Sequence, residues 1–179
     1  MKATGIVRRI DDLGRVVIPK EIRRTMRIRE GDPLEIYTDR DGEVIFKKYS
    51  PIGEWSQFAS QYVEALNKTC SLSVIISDRD TIIASAGVPK REYADRKLMP
   101  EFEAIMEERG LYNHSGDQKI YVVEGANHYV SCAMPIIANS DIIGCIASVT
   151  TDDTTRPRDL PETKLIQTAA SFLGRQLED

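Results

Sequence analysis

Apolar and polar residues alternate through the first fifty positions and then give way to longer helical and strand periods. From Ala3 to Asp11, Thr4, Ile6, Arg8 and Ile10 fall on one side of an extended chain, with Gly5, Val7, Arg9 and Asp11 on the other. That two-residue period predicts a strand. Asp11-Asp12-Leu13-Gly14 supplies a turn and Arg15 to Ile18 a second strand. Pro19 then fixes φ near a helical value, and Ile18, Ile22 and Met26 recur four apart, predicting a short helix with Arg23, Arg24 and Arg27 on its other arc. Gly31-Asp32-Pro33 ends it. Leu34 to Thr38 and Glu43 to Lys48 alternate around the Asp-Gly turn Asp39-Arg40-Asp41-Gly42, completing a ββαββ order.

Tyr49-Ser50-Pro51-Ile52-Gly53 has no period, which places a boundary there: a first domain over 1–50, a linker over 51–55 and a second domain over 56–179. Between Glu54 and Lys68, Trp55, Phe58, Ala59, Tyr62, Val63 and Leu66 follow the spacing of one helix face. Leu72 to Ser77 and Thr81 to Ser85 predict a hairpin, and Pro100 to Arg109 a helix stopped by a left-handed Gly110. Three strands are expected at Lys119 to Glu124, His128 to Ala138 and Asp141 to Thr150. A last helix, capped by Asp159, turns Leu165, Ile166, Ala169, Phe172, Leu173 and Leu177 inward. Helices packed on an antiparallel sheet make the second domain α+β.

Charge changes how the first fifty residues are read. The whole chain of 179 residues carries a net −4, yet residues 1–29 hold nine Lys/Arg against three Asp/Glu and the remainder fifteen against twenty-five. A basic head on an acidic body suits a head that meets a polyanion. Fifty residues of thin hairpins also enclose too little apolar surface to be stable alone, so an identical chain with interleaved hairpins is expected to complete the core as an obligate dimer. No apolar run approaches the roughly 20 residues of a membrane span, no leader pattern opens the chain, and Cys70, Cys132 and Cys145 lack metal or disulfide spacing. A cytoplasmic, nucleoid-associated protein without cofactor or metal is the expectation.

The stretch ATGIVRRIDDLGRVVIPKEIRRTMRIREGDPLEIYTDRDGEVIFKKY resembles the AbrB-type swapped-hairpin DNA-binding domain of bacterial transition-state regulators. That resemblance implies double-stranded DNA as partner and contacts from Arg8, Arg15, Arg23 and Arg24, with Lys2 and Arg9 as weaker candidates. Arg27 and Arg29 are instead candidates for pairing with Glu30 or Asp32. The element order of the second domain resembles a GAF domain, which implies a sensing role with a small molecule held near residues 86–116. The cyclic-nucleotide pattern of some GAF domains is absent, and the ligand is unknown. With both regions together, the chain resembles transcription regulators of spore-forming bacteria.

Apolar residues on more than one face of the first and last helices of the second domain predict an oligomer interface. Trp55, Phe58, Leu165 and Phe172 would join dimers into a tetramer. Two other functions fit part of the sequence. AbrB-like domains also serve as antitoxins, and a few GAF-fold proteins resemble thiol enzymes that reduce methionine sulfoxide. Cys132 and Cys145 sit inside apolar strand runs, where cysteine behaves as a small hydrophobe, so no catalysis is expected; His114 and His128 read as surface or turn residues.

Overall fold

A computed structural model describes residues 4–94, 96–152 and 160–178. Compactness divides the chain into two units, residues 1–49 and 50–179.

In the first unit, α1 (Lys20–Thr25) precedes an antiparallel hairpin of β1 (Leu34–Thr38) and β2 (Val44–Lys48), registered from Leu34 opposite Lys48 to Thr38 opposite Val44. The two strands expected before α1 are not strands in the single chain: residues 4–10 and 15–19 are irregular, and only their turn is closed. A strand exists by pairing with a neighbour, and the alternating sequence here has none among the described residues. Its apolar side chains are left in solvent, Val7 at 88% and Val17 at 71% exposure. Taken as whole residues, only Pro19 is buried among the described residues of this unit.

The second unit begins sooner than the sequence pattern suggested. Pro51–Glu54 form a single helical turn, α2, and Ile52 is buried in the core of this unit, so the segment expected as a linker is folded. There follow α3 (Ser56–Cys70), β3 (Ser73–Ser77), β4 (Ile82–Ala86), α4 (Lys90–Tyr93), α5 (Pro100–Glu107), β5 (Tyr112–Asn113), β6 (Tyr129–Ala138), β7 (Asp141–Thr150) and α6 (Leu160–Gln176). The sheet order is β4-β3-β7-β6-β5, with every pairing antiparallel.

Both faces of this sheet are covered, which is why β3 and β7 read as nearly continuous apolar runs. On one face Val74, Ile76, Ile136 and Ile146 pack with Val63 of α3 and Ile166, Ala169 and Leu173 of α6. On the other, Ile75, Ala133 and Ala147 meet Tyr93 of α4 and Phe102, Ile105 and Met106 of α5.

Three local expectations change. Residues 119–124 form no strand; Met99 N–H donates to Val122 O at 2.9 Å and Val130 N–H to Ile120 O at 2.8 Å, so their backbone bonds are shared between a loop and β6 instead of a continuous ladder. Arg109, with φ 56°, takes the left-handed position after α5 that was assigned to Gly110. His114 is buried, its ring centroid 4.9 Å from that of Tyr129. The Asp159 cap expected for α6 lies outside the described residues.

Candidate nucleic-acid interface

Pro19 precedes α1 with φ −56° and ψ 147°, and its carbonyl accepts from Arg23 N–H at 2.9 Å, opening the helix without a side-chain cap. At the other end Arg27 turns left-handed, φ 52°, so that Ile28 N–H reaches Arg23 O at 2.7 Å and Arg27 N–H reaches Arg24 O at 3.3 Å. This closure of the last turn commonly uses glycine at the left-handed position. Here a lysine from the hairpin braces it. Lys48 Nζ donates to Arg27 O at 3.0 Å and lies 3.5 Å from the Asp32 carboxylate, which also accepts from Arg29 N–H at 2.8 Å. The Asp32 side chain is only 2% exposed, so the pair anchors the exit of α1 to β2.

The arginines sit on that frame. Arg23 and Arg24 are neighbours in α1, Arg23 half-buried and Arg24 exposed. Arg15 leaves the Asp11–Arg15 turn and is exposed, as are Arg8 and Arg9 on the segment entering the same turn. Lys2 lies outside the described residues. The Asp11 carboxylate accepts from Leu13 and Arg15 amides and from Arg15 Nε, and the Arg15 amide and then its guanidinium hold the carboxyl below its usual range. Sequence reasoning missed the Asp32–Lys48 brace. Nothing in a linear pattern links an acid in a turn to a lysine sixteen residues later.

In the second unit the four residues expected at an oligomer interface fall at the start of α3, with Trp55 just before it and Phe58 in its first turn, and on α6, which carries Leu165 and Phe172. Trp55 and Phe58 are edge to face at 5.6 Å, and Phe58 lies 6.2 Å from Phe172. Tyr62, not among those four, stacks on Phe172 at 6.0 Å and 17°. Phe172 remains 40% exposed, while Leu165 packs partly against the core. A polar pocket of about 190 Å³ lies at the other end of the sheet, bordered by Ser73, His128, Tyr129, Thr150, Asp152 and Glu162.

Catalysis by Cys132 or Cys145 finds no support in this geometry. Burial pushes the Cys132 thiol up to about 11 and raises Cys145, completely enclosed in β7, further still. A reactive thiol needs the opposite environment. No cluster of three metal-ligating side chains occurs among the described residues.

Comparison with known proteins adds the family. Residues 54–178 match the family described as stage V sporulation protein T C-terminal, transcription factor. Over 180 aligned residues covering 99% of both chains, the sequence is 50% identical to stage V sporulation protein T of Bacillus subtilis. The chain belongs to the stage V sporulation protein T family. Its membership makes it a transcription factor with an AbrB-type first unit: the match to transition state regulatory protein AbrB of Bacillus subtilis is 39% identical and covers 58% of this chain and 91% of that one. The solution structure of the N-domain of the transcription factor AbrB is 63% identical over 27% of this chain and 92% of its own, with a TM-score of 0.25. Residues 7–54 also match the family described as antidote-toxin recognition MazE, bacterial antitoxin. The fold of the second unit is that of a GAF domain, as in a phosphoenolpyruvate-protein phosphotransferase from Coxiella burnetii: 14% identity, 68% of this chain, 81% of that one, TM-score 0.50.

Proposed function

We propose that two copies of this family member interleave their first units and grip double-stranded DNA through Arg8, Arg15, Arg23 and Arg24 of each copy, with Arg9 and Lys2 at the margin. Arg8, Arg15 and Arg24 exposed and Arg23 half-buried, on a unit with little buried surface of its own, are the observation that carries this function. The irregular segments that leave Val7 and Val17 uncovered are what a second chain would cover, and two-fold symmetry would double the cationic surface. The protein acts in the cytoplasm on the nucleoid, controls genes of the sporulation stage, and performs no chemistry; the buried, high-pKa thiols of Cys132 and Cys145 support the last point.

Arginines on an extended segment and a short helix adapt to several site geometries, so recognition is sensitive to DNA shape and loose in sequence. Selection of bound fragments from random DNA tests this. Recovered fragments should share a loose pattern, and log K should fall against log salt with a slope approaching about −7 if eight arginines each neutralise one phosphate. Binding indifferent to salt would remove the basis of the proposal.

The second unit senses a small molecule, or sets assembly, or both. Trp55, Phe58, Leu165 and Phe172 pair across copies and join dimers into a tetramer, which raises the effective concentration of the second DNA-binding head. Phe172→Asp in the full chain should halve the mass seen by light scattering. It should also lower affinity for a two-site fragment by at least about tenfold while a single-site fragment is bound as before. An unchanged mass would mean that this aromatic face is not the joint.

A further inference from the structure

Two turns of the first unit are written in one pattern, Asp-x-x-Gly-x: Asp11-Asp12-Leu13-Gly14-Arg15 and Asp39-Arg40-Asp41-Gly42-Glu43. Their backbones close alike. Asp11 N–H donates to Arg15 O at 3.0 Å and Asp39 N–H to Glu43 O at 3.2 Å, while each glycine amide returns to the aspartate carbonyl, at 3.0 and 3.5 Å. Gly14 and Gly42 have φ of 75° and 83°. In both turns the aspartate Oδ1 also accepts two amides. The distances are 3.0 Å from Leu13 and 2.7 Å from Arg15, against 3.0 Å from Asp41 and 2.9 Å from Glu43. Asx turns of this kind satisfy the amides of a tight loop with one oxygen.

The two turns differ at the second oxygen. Where the fifth residue is Glu43, an ion pair with the aspartate is impossible, and the turn still forms. Where it is Arg15, Asp11 Oδ2 accepts from Nε at 2.8 Å, a contact the turn does not require. Engaging Nε restrains the plane of the guanidinium and leaves its two terminal nitrogens, the edge that can fork onto guanine O6 and N7, to face another acceptor. A carboxylate here also opposes phosphate binding, since it sets a negative charge beside a cation the DNA would otherwise have to itself. An arrangement that weakens general attraction while orienting a fork favours discrimination over affinity.

We propose that Asp11 is a positioning residue for DNA reading: through Oδ2 it holds the Arg15 fork in one orientation, so that the protein distinguishes sites at the expense of binding all DNA more tightly. The proposal rests on Arg15 touching DNA. Asp39 is its internal control, because it builds the same turn with Glu43 at the fifth position, where the first turn has Arg15.

Full-length Asp11→Asn, Asp39→Asn, Arg15→Ala and the double variant Asp11→Asn/Arg15→Ala should be compared on a selected site and on scrambled DNA at one salt concentration. Asparagine can still accept the turn amides through Oδ1, but its amide nitrogen cannot accept from Nε. In Asp11→Asn, affinity for scrambled DNA should rise roughly two- to fivefold as two carboxylates leave the dimer surface. The ratio of selected to scrambled affinity should fall about tenfold, the scale of one mis-set bidentate contact. Adding Asp11→Asn to Arg15→Ala should lower that ratio no further. Asp39→Asn should leave it unchanged, and the Arg15 Nε–H resonance should shift in Asp11→Asn while the thermal midpoint holds.

A ratio unchanged in Asp11→Asn, with both affinities raised alike, would overturn the proposal and leave Asp11 a turn-former that carries charge. An equal fall in Asp39→Asn would overturn it in favour of turn integrity. If Arg15→Ala lowers the ratio and Asp11→Asn does not, only the part assigned to Asp11 fails. If Arg15→Ala changes nothing, the DNA role of Arg15 fails and the positioning of it fails too.

Discussion

Replacing Arg15 by alanine in the full chain should lower affinity for a selected DNA site by at least about ten- to a hundredfold, the range for one lost bidentate arginine contact, with the loss in the second copy adding to it. The same substitution should flatten the slope of log K against log salt by about 1.8 if two symmetry-related arginines each give up one phosphate instead. These two readouts separate the roles of Arg15. Loss of discrimination with an unchanged slope assigns it to bases, whereas uniform weakening with a flatter slope assigns it to the backbone. Its side chain is 69% exposed, so truncation should leave the thermal midpoint of the protein within a degree or two of wild type. Neither affinity nor slope changing would mean that the exposed arginine set does not meet DNA through this turn.

Gly144→Ala should cost the second unit about 3 kcal/mol or more, the upper range for forcing atoms into a packed interior, and lower its thermal midpoint by roughly 10 °C. A methyl at Gly144 would run into the carbonyl oxygen of Ser77, and it would stand 3.0 Å from that carbonyl carbon and 3.1 Å from Asp78 Cα. All three atoms are backbone. They lie at and just past the end of β3, where its pairing register with β4 shifts as the chain leaves for the Asp78–Thr81 turn, so the obstacle cannot swing aside as a side chain would. Gly110→Ala makes the control: it would meet nothing closer than Glu108 O at 3.7 Å and should change little. A Gly144→Ala protein melting like wild type would show that β3 can yield at Ser77.

Much of this chain was legible in its sequence, and the places where it was not share causes. The β1–β2 hairpin, α3, β6, β7 and α6 follow from periodicity and turn residues, because each buries a face with one repeat. β3 lies under helices on one side and under α4 and α5 on the other, yet its Val-Ile-Ile run still reads as a strand. Residues 119–124 misled because Val122 and Val123 have strand composition, but their burial comes from packing and their hydrogen bonds go to separate partners. Tyr93 was hidden in a polar stretch from Lys90 to Lys97. It is fully buried, and burial pushes its hydroxyl up to about 12.

The sequence alone determined a basic head of nine cations against three acids, the four arginines proposed to meet DNA, and an acidic α+β body. Composition and local spacing are properties of the chain before it folds, so they survive in the sequence intact. Only the tertiary structure decided how the site is held. The Lys48 brace at Arg27 O and Asp32 joins groups that lie 16 to 21 residues apart, and the stacking of Tyr62 on Phe172 joins two helices on one face of the sheet with all of its strands between them in sequence. Such contacts depend on where the backbone returns, and that is fixed by burial summed over the fold. The second oxygen of Asp11 lies between these cases. Its turn is written in five consecutive residues, but that one oxygen closes the loop and the other holds Arg15 becomes visible only when the Asp11 and Asp39 turns are laid beside each other in three dimensions.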